Sequence, residues 1–258
     1  MPQSYDAPSL PHHQNAIDGS GVHTGLLERA EAHECDHWDH SRVSRPVLHD
    51  YYRSSASYRV RIALNLKGMA YDSHPVSLVD GAQRSDAYRA LNPQGFVPML
   101  EIDGLKLTQS LAIFDYLDAK TPDPPFVPED PPGRAHVLAL ALTVACDIHP
   151  LNNLRVLEYL KGTLGRSQDV ADSWYRHWVK EGLDALEQLA APQAGSFLYG
   201  DQLSMADICL VPQLYNARRF AVPLEPYPTL TRADANACRL QAFIDAHPDR
   251  HAPKEAVQ

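Results

Sequence analysis

The stretch VPMLEIDGLKLTQ, Val97–Gln109, decides how the first half of the chain is read. Two apolar-rich runs flank Asp103-Gly104, a pair suited to the positive backbone angles of a tight hairpin turn. Before it, Asn92-Pro93 stops a short helix expected from Ser85 to Leu91. YDSHPVSL reads as a strand that Pro75 confines to an edge or a bend. Further back, a helix is expected from about Ser57 to Lys67, with Val60, Ala63, Leu64 and Leu66 or Lys67 on its apolar face and Gly68 closing it. VLHDYY, from Val47, is a strand. After the hairpin, Ser110 is expected to cap a helix that buries Leu111, Phe114, Tyr116 and Leu117.

The order β-α-β-α-β-β-α over residues 47–120 is the layout of an α+β, thioredoxin-like domain. TPDPPFVPEDPPG, residues 121–133, holds six prolines in thirteen positions and reads as a stiff linker. Residues 134–247 carry long amphipathic patterns and few strand signals, so the second domain is expected to be all-helical. There LSMAD marks a helix start, with Ser204 and Asp207 set for a capping box and Leu203 and Ile208 for a hydrophobic staple. Residues 248–258 are expected to form a tail, and residues 1–46, polar and without apolar period, a disordered extension.

A net charge of −9 excludes binding nucleic acid through bulk electrostatics and leaves room for a local basic pocket. Cys35, Cys146, Cys209 and Cys238 form no CxxC pair, which fits reduced thiols in a cytoplasmic protein. No run of 18 apolar residues marks a membrane span. His33, Cys35, His37 and His40 match no standard zinc spacing, so no metal is expected.

The chemistry gathers at YYRSSASYRVRIAL, residues 51–64. No G-x-S-x-G elbow and no local base make Ser54, Ser55 or Ser57 a nucleophile. Hydroxyls and free amides at a helix start instead favour an anion, such as a thiolate brought from outside, or else simply cap the helix. GFVPML sets Pro98 before a strand, where a cis Val97-Pro98 bond would leave the Val97 amide and carbonyl free for a peptide ligand. Gln109 and Ser110 open another helix and suit a carboxylate.

The segments SSASYRVRIAL, NPQGFVPML, TQSLAI, DIHPLNNLRVLEYL, LSMADICLVPQ and NARRF together resemble the zeta-class glutathione transferases, the family of the maleylacetoacetate isomerases. The resemblance covers about Val47 to Pro248 and implies a glutathione-transferase helical domain after the thioredoxin-like one. It implies glutathione as cofactor and a homodimer, with maleylacetoacetate isomerised to fumarylacetoacetate by thiolate addition, bond rotation and elimination. Ser54, with Ser55, would stabilise the thiolate. Gln83, Val97, Gln109 and Ser110 would bind the tripeptide, and His149, Asn153 and Arg155 would close over it, from this subunit or its neighbour. Arg219 and Arg53 would bind the diacid. Ala56 stands where the family loop often has cysteine, and His149 where it commonly has glutamine. Maleylpyruvate isomerisation, glutathione conjugation or peroxidase activity, and a non-catalytic scaffold are the rival readings. Arg61 and Arg218 are expected as solvated or ion-paired surface residues.

Overall fold

The computed structural model describes residues 45–253. The expected extension over residues 1–46 falls almost wholly outside these, as does the His33–His40 cluster. The two described residues of that stretch are tied in, because Pro46 accepts a hydrogen bond from the Asp72 amide and Arg45 pairs with the Asp72 carboxylate.

The first domain contains strands β1 (Val47–Asp50), β2 (Asp72–Pro75), β3 (Met99–Ile102) and β4 (Leu105–Thr108), with helices α1 (Ser55–Leu66), α2 (Asp86–Leu91) and α3 (Ser110–Lys120). The sheet order is β2-β1-β3-β4, β1 running parallel to β2 and antiparallel to β3. Pro75 sits on edge strand β2, where its missing N–H removes no ladder bond to a second neighbour. The β3–β4 hairpin turns at Asp103-Gly104, both at positive φ.

Helix α1 starts two residues earlier than the periodicity predicts, with Ser54 as N-cap accepting from the Ser57 amide. It is buried on nearly all sides, not along one face, because α3 covers one side and two C-terminal helices the other. Those are α7 (Met205–Arg219) and α9 (Gln241–Ala246). Arg61 is therefore no surface residue. It is fully buried, pairs with Asp50 at 2.8 Å, and donates to the carbonyls of Ala246 and Tyr52. Arg218 is ion-paired, with Asp234. At α3, Gln109 is the cap residue and Ser110 the first helical position, one residue off the expected cap.

The linker ends sooner than its prolines suggest. Helix α4 (Pro131–Leu142) begins inside the 121–133 stretch, because prolines in a first turn replace N–H groups that lack helical partners anyway. Asp130 caps it through the Gly133 amide at 2.8 Å. Lys67 holds the linker from below, donating to Asp118 and to the Pro124 carbonyl and lying over the Phe126 ring.

The helical domain continues through α5 (Leu154–Glu158), α6 (Gln168–Ala190) and α8 (Pro228–Ala237). Between α4 and α5 the helical path widens over Thr143–Ile148 and tightens over His149–Asn152. By length and composition, the 33-residue stretch 131–163 would pass for a membrane span, which a search for unbroken apolar runs misses. Here it packs against α6 and α7 inside the domain. In α7 the capping box forms: Asp207 accepts from the Ser204 amide and from the Leu198 amide, each at 2.9 Å. Residues 248–250 are a short helical turn with Pro248 buried, so the expected tail starts later than Pro248.

Candidate functional site

A cavity of about 1050 Å³ opens where α1, the loop before β3, the start of α3, the 142–158 segment and the end of α7 meet. Every candidate site residue reaches its wall: Arg53, Ser54, Ser55, Gln83, Val97, Gln109, Ser110, His149, Asn153, Arg155 and Arg219. All belong to one chain, so His149, Asn153 and Arg155 need no neighbouring subunit to be present.

Ser54 uses its oxygen to accept from the Ser57 amide, which leaves its O–H proton without an acceptor among the described residues. The Ser55 and Ala56 amides lie in the first helical turn and have no backbone partner. A hydroxyl donor and free amides at the positive end of α1 thus face one cavity. Ser55 differs from Ser54. It is buried, and its hydroxyl lies 2.8 Å from His149 Nδ1. Burial and the Arg59 guanidinium hold the His149 imidazole neutral, its pKa down at about 3.

A second helix start faces the same space. Gln109 sits at φ 67° and donates to Gln94, and Ser110 is buried beside it. The Val97-Pro98 bond is cis, and neither the N–H nor the C=O of Val97 forms a hydrogen bond among the described residues. The Gln83 Oε1 is likewise buried without a partner. Gly95, at φ +64°, lets the backbone pass beneath; a Cβ there would lie 2.9 Å from the Gln83 carbonyl. Asn153 caps α5, and Arg155 lies over the Phe96 ring.

The wall is cationic although the protein is acidic. Among the described residues, Arg53, Arg59, Arg84, Arg155 and Arg219 line it against one acid, Glu158, which is paired with Arg84. Arg53 and Arg219 are exposed at the mouth, Arg53 over Tyr52 and Arg219 beside Tyr215, Phe220 and Asn216. The site suits a peptide-like ligand with an acidic sulfur and carboxylates, together with an anionic second substrate.

Comparison with known proteins agrees with this chemistry. The glutathione S-transferase N-terminal domain profile matches residues 48–125, and the C-terminal domain profile matches residues 172–245. The chain is 49% identical over 212 residues to maleylacetoacetate isomerase of Rhizobium meliloti, covering 82% of this chain and all of that one. A solved bacterial maleylpyruvate isomerase, described as a zeta-class glutathione transferase, superposes with TM-score 0.78 at 44% identity, covering 81% of this chain and 99% of that one. The chain belongs to the zeta-class glutathione transferases.

A further relative, maleylacetoacetate isomerase of Anaeromyxobacter dehalogenans, was solved with glutathione in its active site; it is 43% identical with TM-score 0.73, covering 81% of this chain and 97% of that one. Beyond the motif residues, the cavity of this family member includes a stacked pair, Tyr175 on Phe220 with ring centroids 3.6 Å apart, and the free thiol of Cys146. Neither carries a local sequence signal, because both come from helices that reach the cavity only through tertiary packing. The loop lacks a cysteine at Ala56, yet the cavity does not lack one.

Proposed function

We propose that this chain catalyses the glutathione-dependent cis–trans isomerisation of maleylacetoacetate to fumarylacetoacetate, a step of tyrosine and phenylalanine degradation. The observation that carries the reading is the Ser54 hydroxyl, a donor with no acceptor among the described residues, at a helix N-terminus inside an arginine-lined cavity. The fit to glutathione rests on unused groups: the free backbone of Val97, the orphaned Gln83 Oε1 and the amides at the start of α3. These match a tripeptide with two carboxylates and an amine.

Glutathione supplies the thiolate that adds to the conjugated double bond, so that the bond can rotate, and is released unchanged. The protein's part is electrostatic. Ser54 donates to the bound sulfur, and the α1 amides favour its negative charge near neutral pH. Gln109 and Ser110 grip a carboxylate of the tripeptide, while Val97 pairs with its backbone. Gln83, Asn153 and Arg155 hold its remaining polar groups, and Ser55 orients His149 beside it. Arg219, with Arg53, neutralises the diacid and receives negative charge as it shifts onto the ketone oxygen.

Maleylpyruvate is the second reading, favoured by the close superposition on an enzyme of that name. Either acid is a small dicarboxylate and asks the same of the arginines. The enzyme acts in the cytoplasm as a homodimer: Cys146, Cys209 and Cys238 are free thiols, and exposed Leu142, Leu154, Tyr159 and Leu164 offer apolar surface for a twofold contact.

Ser54→Ala and Arg219→Ala test the assignment. Removing one such contact typically slows a reaction about 100- to 1,000-fold, so each variant should lose at least about tenfold in kcat/KM. Ser54→Ala should also move the rising limb of the pH–rate profile to higher pH. Wild-type kinetics in either variant would remove that residue from the mechanism.

A further inference from the structure

Two arginines of α1 are buried almost completely, and they are treated oppositely. Arg61 has Asp50 and two carbonyls. Arg59 is 2% exposed, yet its Nε and Nη2 have no hydrogen-bond partner, and no carboxylate pairs with it among the described residues. A buried, unpaired guanidinium is costly, because desolvation is not offset by a counter-charge. Burial lowers its pKa accordingly. Its electrostatic neighbours are the Cys146 and Cys209 thiols and the neutral His149, none of them a carboxylate, and burial pushes the Cys209 thiol up to about 11. Arg59 is also among the residues that line the cavity.

We propose that Arg59 is a second carboxylate anchor, seated at the cavity floor, for the acid group of the substrate remote from the reacting double bond. This rests on the diacid reading above. Arg53 adjoins Ser54 in sequence, and both Arg53 and Arg219 are exposed, so the carboxylate next to the reacting bond is met at the mouth. Arg59 lies one helical turn beyond Ser55, about 6 Å along the axis, where the far end of an extended diacid would lie. An incoming carboxylate meets a guanidinium already stripped of water, which makes a strong and selective contact. A substrate lacking that acid would leave Arg59 unpaired, as it is in the free protein, and so gains nothing from it.

The test compares two substrates on Arg59→Met and Arg59→Lys. Maleylacetoacetate carries both acids; maleylacetone has the same conjugated chain but ends in a methyl ketone. For Arg59→Met, kcat/KM on maleylacetoacetate should fall at least about tenfold, mostly through KM, a conservative figure for one buried charged contact. Turnover of maleylacetone should stay within about twofold, and the calorimetric Kd for glutathione should not move, because neither uses this contact. Arg59→Lys should recover part of the loss. Equal losses on both substrates, or no loss on either, would overturn the proposal. Should neither variant fold, crystals of wild-type protein grown with glutathione and adipate decide: a carboxylate against Arg59 supports the anchor, and adipate bound only at Arg53 and Arg219, or not at all, refutes it. A wild type inactive on both substrates would refute the isomerase assignment instead, and the adipate structure would then read Arg59 alone.

Discussion

His149 shows how a single residue links the site to stability. In the folded protein it resists protonation down to about pH 3, through burial and the nearby Arg59 charge, whereas an unfolded histidine titrates near its ordinary value of about 6.5. Below pH 6.5 the unfolded chain therefore takes up a proton that the folded chain refuses. Stability from neutral His149 is complete above that pH and declines as pH falls from 6.5 toward 3. Part of the ring still faces the cavity, so between pH 7.5 and 5 the loss is on the order of 1–2 kcal/mol. His149→Gln, which can still bond to Ser55, should remove this dependence: urea melts of wild type and variant at both pH values should differ by that amount. An unchanged difference would mean that water reaches the ring freely. At this scale the sequence was legible where chemistry is local. Ser54 stands before a helix, Gln109 and Ser110 open another, and each can be read from its neighbours. Arg59 could not be distinguished from Arg61, because only tertiary packing gives one a partner and denies it to the other.

Elements were legible in kind, and less so in their limits. The hairpin at Asp103-Gly104 and the capping box at Ser204–Asp207 form where their residues point, since both are set by short-range geometry. Helix α1 departs from the one-sided burial that its periodicity predicts, because periodicity records one buried face and here α7 and α9 bury the other. The widened and tightened turns around His149 left no trace in the apolar pattern. They bring Ile148 against α6 at Gly182, where an added Cβ would lie 2.2 Å from Ile148 Cγ1 and 2.6 Å from Cδ1. Gly182→Ala gains at most about 1 kcal/mol of helix propensity and faces overpacking of about 1–3 kcal/mol. The expected result is a net loss of stability in urea melts and disturbed turnover, since Ile148 adjoins His149. A stabilised, fully active variant would show that the 143–152 segment yields freely.

At the scale of the whole molecule, α1 belongs to both domains. Arg61 joins Asp50 of the sheet to the Ala246 carbonyl of α9, and Asn65 donates to the Ala242 carbonyl. Helix α7 packs against the same helix α1, which sets Arg219 relative to Ser54. The two-domain order could be read from the chain, whereas this shared helix could not, because the contacts span nearly two hundred residues in sequence. A rigid frame, an unpaired hydroxyl and an arginine wall together support a reaction in which the nucleophile arrives with glutathione and leaves with it. The most direct measurement follows the ultraviolet absorbance of maleylacetoacetate, and of maleylpyruvate in parallel, with catalytic amounts of glutathione while free thiol is titrated. The account predicts many turnovers per glutathione, none without it, and constant thiol. Stoichiometric loss of thiol, or no isomerisation of either acid, would contradict it.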